Sequence, residues 1–97
     1  MAQINNTKKP PQFDGSNYPY WKAKMTTYIK SINRKVWKVV ETKIEISNVE
    51  APTVTEEVLL QNNDIAISAI HDALDKRIFE QIKNIEMAHE AWKKLEK

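Results

Sequence analysis

Aromatic residues are concentrated in one short stretch of this 97-residue chain: six of the eight lie between residues 13 and 37. The stretch opens with Phe13, passes through the only glycine of the chain, Gly15, and a polar Asn17, and reaches Trp21. A glycine permits the positive φ of a tight turn, and asparagine is a frequent helix N-cap. This order of residues predicts a segment that turns sharply and then locks onto a helical core.

The residues after Asn17 follow the three-to-four-residue spacing of a single helical face. We expect a first helix to begin near Tyr18, capped by the Asn17 side chain, with Pro19 in the first turn, where its fixed φ is tolerated. A second short helix is predicted over residues 35–40. The predicted inward residues of the two helices are Tyr18, Trp21, Met25, Tyr28, Ile29, Ile32, Val36, Trp37 and Val40.

The middle of the chain predicts a loop followed by a long helix. Residues 43–55 contain Pro52 and lack a helical period, which indicates an ordered loop with room for a short extended piece at residues 43–46. Thr53 with Glu56, or Thr55 alone, is expected to start the next helix. This helix should run to about Leu74, and apolar residues over more than half of its circumference predict a central, buried helix.

Two shorter helical patterns complete the chain. Asp75 is expected to cap a short helix that contains Ile78, Phe79 and Ile82. A last amphipathic helix is predicted from Met87, Ala88, Ala91, Trp92 and Leu95, and because the sequence stops within its pattern we expect a truncated chain. The patterns together predict an all-α fold: one domain over residues 13–97, built as a small bundle of four or five helices, with a flexible N-terminal arm over residues 1–12.

Composition bears on the compartment in which such a chain would work. The chain has no cysteine, and neither a secretory leader pattern nor an apolar run of membrane-spanning length is visible. These features predict a cytoplasmic protein, with the nucleus left open, and no association with a membrane.

Charge is distributed unevenly along the sequence. Residues 1–50 carry nine Lys and Arg against four Asp and Glu, whereas residues 51–97 carry six against nine. A basic first half and an acidic second half favour weak head-to-tail contacts between copies. The predicted contact residues are Lys22, Lys30 and Lys38 on one copy and Glu56, Glu57 and Asp64 on the next. The alternative contact is the apolar side of the last helix, formed by Met87, Ala91 and Leu95.

Catalytic chemistry finds little support in the sequence. Ser68, His71, Asp72 and Asp75 lie within two turns of one helix, and neighbours on one helix rarely converge as a nucleophile, a base and an acid. We expect His71 to pair with Asp75 at the i,i+4 spacing instead. His71 and His89 without further clustered ligands predict no metal site. One glycine also excludes phosphate-binding loops, so we predict a protein that is not an enzyme and has no cofactor.

RNA binding is possible but not favoured. Lysines alternate with aromatic residues in the first half of the chain, which superficially resembles a single-strand binding groove. Helical spacing, however, places the aromatic residues on one face and the lysines on the other. A stacking platform needs both groups exposed together, so the pattern favours aromatic residues in the core and lysines in solvent.

Two blocks of the sequence resemble the N-terminal region of the Gag polyprotein of copia-type retrotransposons. The first, within about residues 11–42, is a Phe-x-Gly-x-Asn-Tyr-x-x-Trp core followed by a methionine and by a tryptophan paired with valine, here Val36 and Trp37. The second, over about residues 58–97, ends in Ala-x-Glu-Ala-Trp-x-x-Leu. The resemblance implies an architectural role for the residues that carry it: Phe13, Gly15, Asn17, Tyr18, Trp21, Met25, Trp37, Ala91 and Trp92.

The resemblance also implies a function. It indicates an α-helical, capsid-like domain of a structural polyprotein, from a plant retroelement or a gene derived from one, that acts in self-assembly as a weak homo-oligomer. The sequence lacks the Cys/His zinc knuckle that is expected to hold nucleic acid in such polyproteins. Two alternatives stay open: a domesticated adaptor domain that binds another protein, and a nucleic-acid binder that uses the basic first half.

Overall fold

Within residues 9–96 the chain folds as five α-helices and the segments that connect them. A computed structural model describes residues 9–96, and it confirms the predicted all-α bundle. The helices are α1 (Tyr18–Ile32), α2 (Arg34–Glu41), α3 (Val54–Asp72), α4 (Lys76–Ile82) and α5 (Ala88–Leu95). In this part of the chain the only β pairing is a single isolated bridge. α2 packs against α1 and α3, and α5 packs against α2 and α3.

The start of α1 differs from the sequence prediction in one respect. The helix begins at Tyr18 with Pro19 in its first turn, as expected, but the Asn17 side chain makes no capping hydrogen bond. Asn17 has φ 51° and ψ 54°, in the left-handed region, whereas a side-chain cap normally requires extended backbone. Its backbone carbonyl instead accepts the first helical hydrogen bond, from the Trp21 N–H. The prediction of an Asn17 side-chain cap was therefore wrong.

The other helix starts follow local sequence signals. The Asn33 side chain accepts a hydrogen bond from the Lys35 N–H at 2.7 Å and so separates α1 from α2. Asp75 caps α4 by accepting from the Ile78 N–H at 2.9 Å, as predicted. Each cap satisfies a backbone donor that has no partner within its own helix.

A capping box starts α3, as one of the two predicted alternatives proposed. Thr53 Oγ1 accepts from the Glu56 N–H, and the Glu56 carboxylate accepts from the Thr53 N–H. The same carboxylate also accepts hydrogen bonds from the Ser47 N–H and hydroxyl, which ties the preceding loop to the helix. No strand forms at residues 43–46.

These contacts predict a pH-dependent contribution to stability. Hydrogen bonds from Ser47 and Thr53 hold the pKa of Glu56 below its ordinary value of 4.5. A carboxylate with a lowered folded-state pKa stabilises the fold above its unfolded pKa, and this stabilisation is lost as the pH falls through the folded-state pKa. We expect Glu56→Gln to be less stable than the wild type at pH 7. The difference should shrink as the pH falls below 4.5.

Urea unfolding over a pH series checks this expectation. Glu57→Gln is the matched control because Glu57 is exposed and adjacent in sequence but outside the capping box, so its loss should change stability at pH 7 much less. A wild-type advantage over Glu56→Gln that is as large at pH 3 as at pH 7 would contradict the assignment.

A short extended segment before α1, residues 11–13, crosses the bundle, and we call it the strap. The Phe13 N–H donates to the Ala73 carbonyl at 2.7 Å, and the Asp75 N–H donates to the Phe13 carbonyl at 3.1 Å. The Gln12 side chain also donates to the Asp72 carbonyl. Within residues 9–12 of the predicted flexible arm, Gln12 therefore contacts the bundle. Residues 1–8 of the arm lie outside the described residues.

Gly15 makes the turn between the strap and α1. Its φ is +100°, and a Cβ at this position would lie 3.3 Å from Ile78 Cδ1. Because both the backbone conformation and the space favour glycine, we expect Gly15→Ala to lower the free energy of unfolding by about 1–2 kcal/mol. Chemical denaturation measures the loss, with Gln81→Ala at an exposed helix position as the control. Equal stability of the two variants would show that the turn tolerates a side chain.

Candidate functional site

Aromatic residues from the two sequence blocks meet in one cluster. The rings of Phe13 and Trp21 stack with centroids 4.7 Å apart, and Trp21 lies 5.5 Å from Trp92. Trp92 in turn meets the Trp37 ring edge-to-face at 5.6 Å. The cluster joins the strap, α1, α2 and α5, so residues far apart in sequence form one continuous contact.

A hydrogen bond fixes the centre of this cluster. Trp21 is 2% exposed, and its Nε1 donates to the Pro11 carbonyl at 2.9 Å. Tyr18 packs against Phe13 at the edge of the cluster, where its hydroxyl is buried without a hydrogen-bond partner. Desolvation, with a smaller effect from Glu96, raises the pKa of Tyr18 to about 12.

The structure distributes the predicted architectural residues between core and surface. Most of them are buried or half-buried, whereas Gly15 and Asn17 are exposed at the turn before α1. The buried members are Phe13, Trp21, Met25, Ala91 and Trp92, and the half-buried members are Tyr18 and Trp37. The buried aromatic rings of this set are therefore used for internal packing.

The predicted basic contact residues have different surroundings. The Lys22 ammonium lies 3.5 Å from the Glu96 carboxylate, so this lysine already has an acidic neighbour within the chain. Lys30 lies with its ammonium 5.7 Å from the centroid of the Trp37 ring, and it is exposed to solvent. Lys38 is exposed. Lys30 and Lys38 therefore remain available to a partner, and Lys22 is the weaker candidate.

The acidic candidates divide in a similar way. Glu56 is occupied by the capping box and by Ser47. Glu57 and Asp64 are exposed on α3. Of the predicted acidic set, these two side chains remain available for contacts between copies.

The structure corrects the predicted alternative, an apolar contact between copies through the last helix. Ala91 and Leu95 are buried, and Met87 is half-buried. These residues face inward because α5 packs against α2 and α3 of the same chain. Leu95 is thus part of the core, and the three residues do not form an exposed docking face.

An exposed apolar stripe on α3 was not predicted from the sequence. Val54 is 83% exposed, Val58 46% and Ile65 45%. At 100° per residue the three fall within an arc of about 40° on the helix surface. The wide apolar pattern of α3 had predicted a buried helix, which is wrong for this side. A helical-wheel plot of α3 could have revealed the stripe from the sequence. On such a plot the centre of the stripe lies away from the more strongly apolar arc around Ala66 and Ile70.

The histidines have structural surroundings that the sequence did not predict. His71 does not form the expected pair with Asp75, whose carboxylate instead caps α4. The imidazole meets the Phe79 ring edge-to-face at 4.9 Å, and its Nε2 is buried without a hydrogen-bond partner. The His89 Nδ1 lies 2.8 Å from the Val40 carbonyl. Within residues 9–96 no cluster of three or more His, Asp or Glu is placed to hold a metal ion.

Several shallow clefts border the bundle, and two of them lie against α1 and α3. One, of about 570 Å³, lies beside the outer side of α1, and the other, of about 320 Å³, lies between α3 and the segment that leads into α5. The first is lined by Lys9, Pro11, Lys24, Thr27, Tyr28 and Ser31. Neither gathers a nucleophile, a base and an acid of the kind that hydrolytic chemistry uses. Among the described residues, no helix has both the length and the apolar composition needed to cross a membrane.

Comparison with protein-family models, with curated proteins and with solved structures finds no match to this chain.

Proposed function

We propose that this chain is a non-enzymatic structural and interaction module that acts in self-assembly in the cytoplasm, of the kind found in the N-terminal capsid region of copia-type Gag. The two sequence blocks that carry the resemblance supply the Phe13–Trp21–Trp92–Trp37 cluster. Because the residues of the motif form the core of the domain, its exposed surfaces are available for contacts between copies.

The observation that carries the proposal is the exposed stripe of Val54, Val58 and Ile65. Large apolar side chains gathered on one helix face mark a surface that gains stability from being covered. Glu57 and Asp64 border this stripe in the acidic half of the chain, whereas the basic half is exposed on α1 and α2. A surface with both apolar contact and opposite charge suits association between copies of the chain.

Nucleic-acid binding is disfavoured by the same geometry. Base stacking requires exposed aromatic faces beside lysines. Trp21 and Trp92 are buried, and Trp37 is half-buried against Trp92, so that Tyr20 is the one large aromatic side chain of the described residues that is mostly exposed, and a single ring is a small stacking platform. The basic surface could attract phosphates only through charge, which gives weak and strongly salt-dependent binding.

Light scattering over a range of protein concentrations tests self-assembly. We expect the mean mass to rise with concentration and to fall when salt is added, because exposed charge pairs contribute only a few tenths of a kcal/mol each and are screened by ions. A constant monomer mass would exclude self-assembly by this chain and would favour the adaptor function. Tight RNA binding that persists at high salt would favour a nucleic-acid function instead.

A further inference from the structure

The α3 stripe lacks a cation of its own. Helix α3, from Val54 to Asp72, contains no lysine or arginine, whereas Glu57 and Asp64 lie on the same side of the stripe. If the stripes of two copies packed antiparallel, the carboxylates of the two copies would face each other, and if they packed parallel, no lysine or arginine of α3 would be available to pair with them. Neither symmetric arrangement through α3 gives the carboxylates a partner of opposite charge. The occupant of the stripe should therefore combine an apolar side chain with positive charge.

Among residues 9–96, one other surface best meets this description. Of the large apolar residues exposed outside α3, Ile32 lies at the corner where α1 ends and α2 begins, and it is 42% exposed. Lys30 and Arg34, two residues to either side of it, are both exposed. Val49 is also exposed, but it stands next to the acidic Glu50. Tyr20 is exposed with a single free cation near it, Lys24, because the ammonium of Lys22 is already close to Glu96. The corner formed by Lys30, Ile32 and Arg34 is the better complement.

We infer that the α3 stripe of one copy binds the α1–α2 corner of a second copy. Ile32 contacts Val58 and Ile65, and the two cations of the corner lie against Glu57 and Asp64. This inference rests on the proposed self-assembly and names the surfaces that carry it. Because the two surfaces differ, the contact is heterologous and propagates into rings or open chains rather than closing as a symmetric pair. One isoleucine and two exposed ion pairs make a small contact, which suits weak association.

Charge reversal tests whether these two surfaces meet. The first variant carries Glu57→Lys and Asp64→Lys, and the second carries Lys30→Glu and Arg34→Glu. Each variant alone should self-associate about tenfold or more weakly than the wild type, because both surfaces then carry charge of one sign. An equimolar mixture should recover association, since each stripe again finds a corner of opposite charge.

A matched control keeps the change of net charge but moves it elsewhere. Glu86→Lys with Glu90→Lys alters two exposed carboxylates beside and on α5, and it should associate like the wild type. A neutral double variant, Val58→Ser with Ile65→Ser, tests the apolar part and should also weaken association about tenfold. Circular dichroism confirms that each variant is folded before sedimentation velocity is measured.

The outcomes separate the two claims. A wild type that associates while both charge-reversal variants associate equally well would overturn the assigned surfaces and leave self-assembly intact. Weakened variants whose mixture fails to recover would also overturn the direct contact. A wild type that stays monomeric at all concentrations would overturn the proposed self-assembly itself, and with it the inference.

Discussion

Replacing Trp21 by alanine is expected to lower the free energy of unfolding by about 3–5 kcal/mol, which is most of the stability of a small domain. The side chain is 2% exposed and contacts the rings of Phe13 and Trp92. Its Nε1 also holds the Pro11 carbonyl. The substitution therefore leaves a large cavity and releases the strap from α1 at the same time. Urea unfolding monitored by circular dichroism measures the loss.

Tyr20→Ala is the matched control for Trp21→Ala. Tyr20 is the preceding residue on α1, and its side chain is mostly exposed, so its loss should change stability by less than about 0.5 kcal/mol. Trp21→Phe keeps an aromatic ring but removes the donor to Pro11, and it should fall between the two. A Trp21→Ala variant as stable as Tyr20→Ala would place the indole on a binding surface rather than in the core.

Asn63→Ala should cause the second large loss, about 2–4 kcal/mol. Asn63 is the only buried polar or charged residue in the described part of the chain. Its Nδ2 donates to the Glu86 carbonyl at 2.9 Å, and its Oδ1 accepts from the Ala88 N–H at 2.7 Å. Because α5 starts without a side-chain cap of its own, Asn63 supplies from α3 the acceptor that its first turn needs.

The neighbouring Asn62→Ala controls for the loss of an amide on α3, since Asn62 is only half-buried. Asn63→Asp keeps the acceptor for Ala88 but loses the donor to Glu86, so it separates the two hydrogen bonds. Thermal unfolding of the three variants gives the comparison. Equal melting temperatures for Asn62→Ala and Asn63→Ala would contradict the bridging role of Asn63.

Local signals explain which parts of the fold could be predicted from the sequence. The box of Thr53 and Glu56 and the Asp75 cap involve residues three positions apart, so the sequence contains the whole interaction. The bridge between Phe13 and Leu74 joins segments about sixty residues apart and depends on backbone atoms, which leave no side-chain pattern. The predicted Asn17 cap is absent because the type of side chain alone does not determine the backbone conformation before a helix.

The candidate surface was less predictable for a related reason. Helical periodicity identified the apolar residues of α3, but it could not show how far α2 and α5 would cover the helix. In the same way, Ile32 was expected on the inward face of α1 but is 42% exposed, whereas Leu95 was expected to be available for a partner but is buried. In both cases the neighbouring helices decided the exposure, and their positions depend on contacts between distant parts of the chain.

Sedimentation equilibrium of the wild-type chain at low and high salt tests self-assembly most directly. We expect a mass above that of the monomer which grows with protein concentration at low salt, with no fixed upper stoichiometry, and which falls toward the monomer at high salt. A single monomer mass at every concentration under both conditions would contradict self-assembly as the function of this chain.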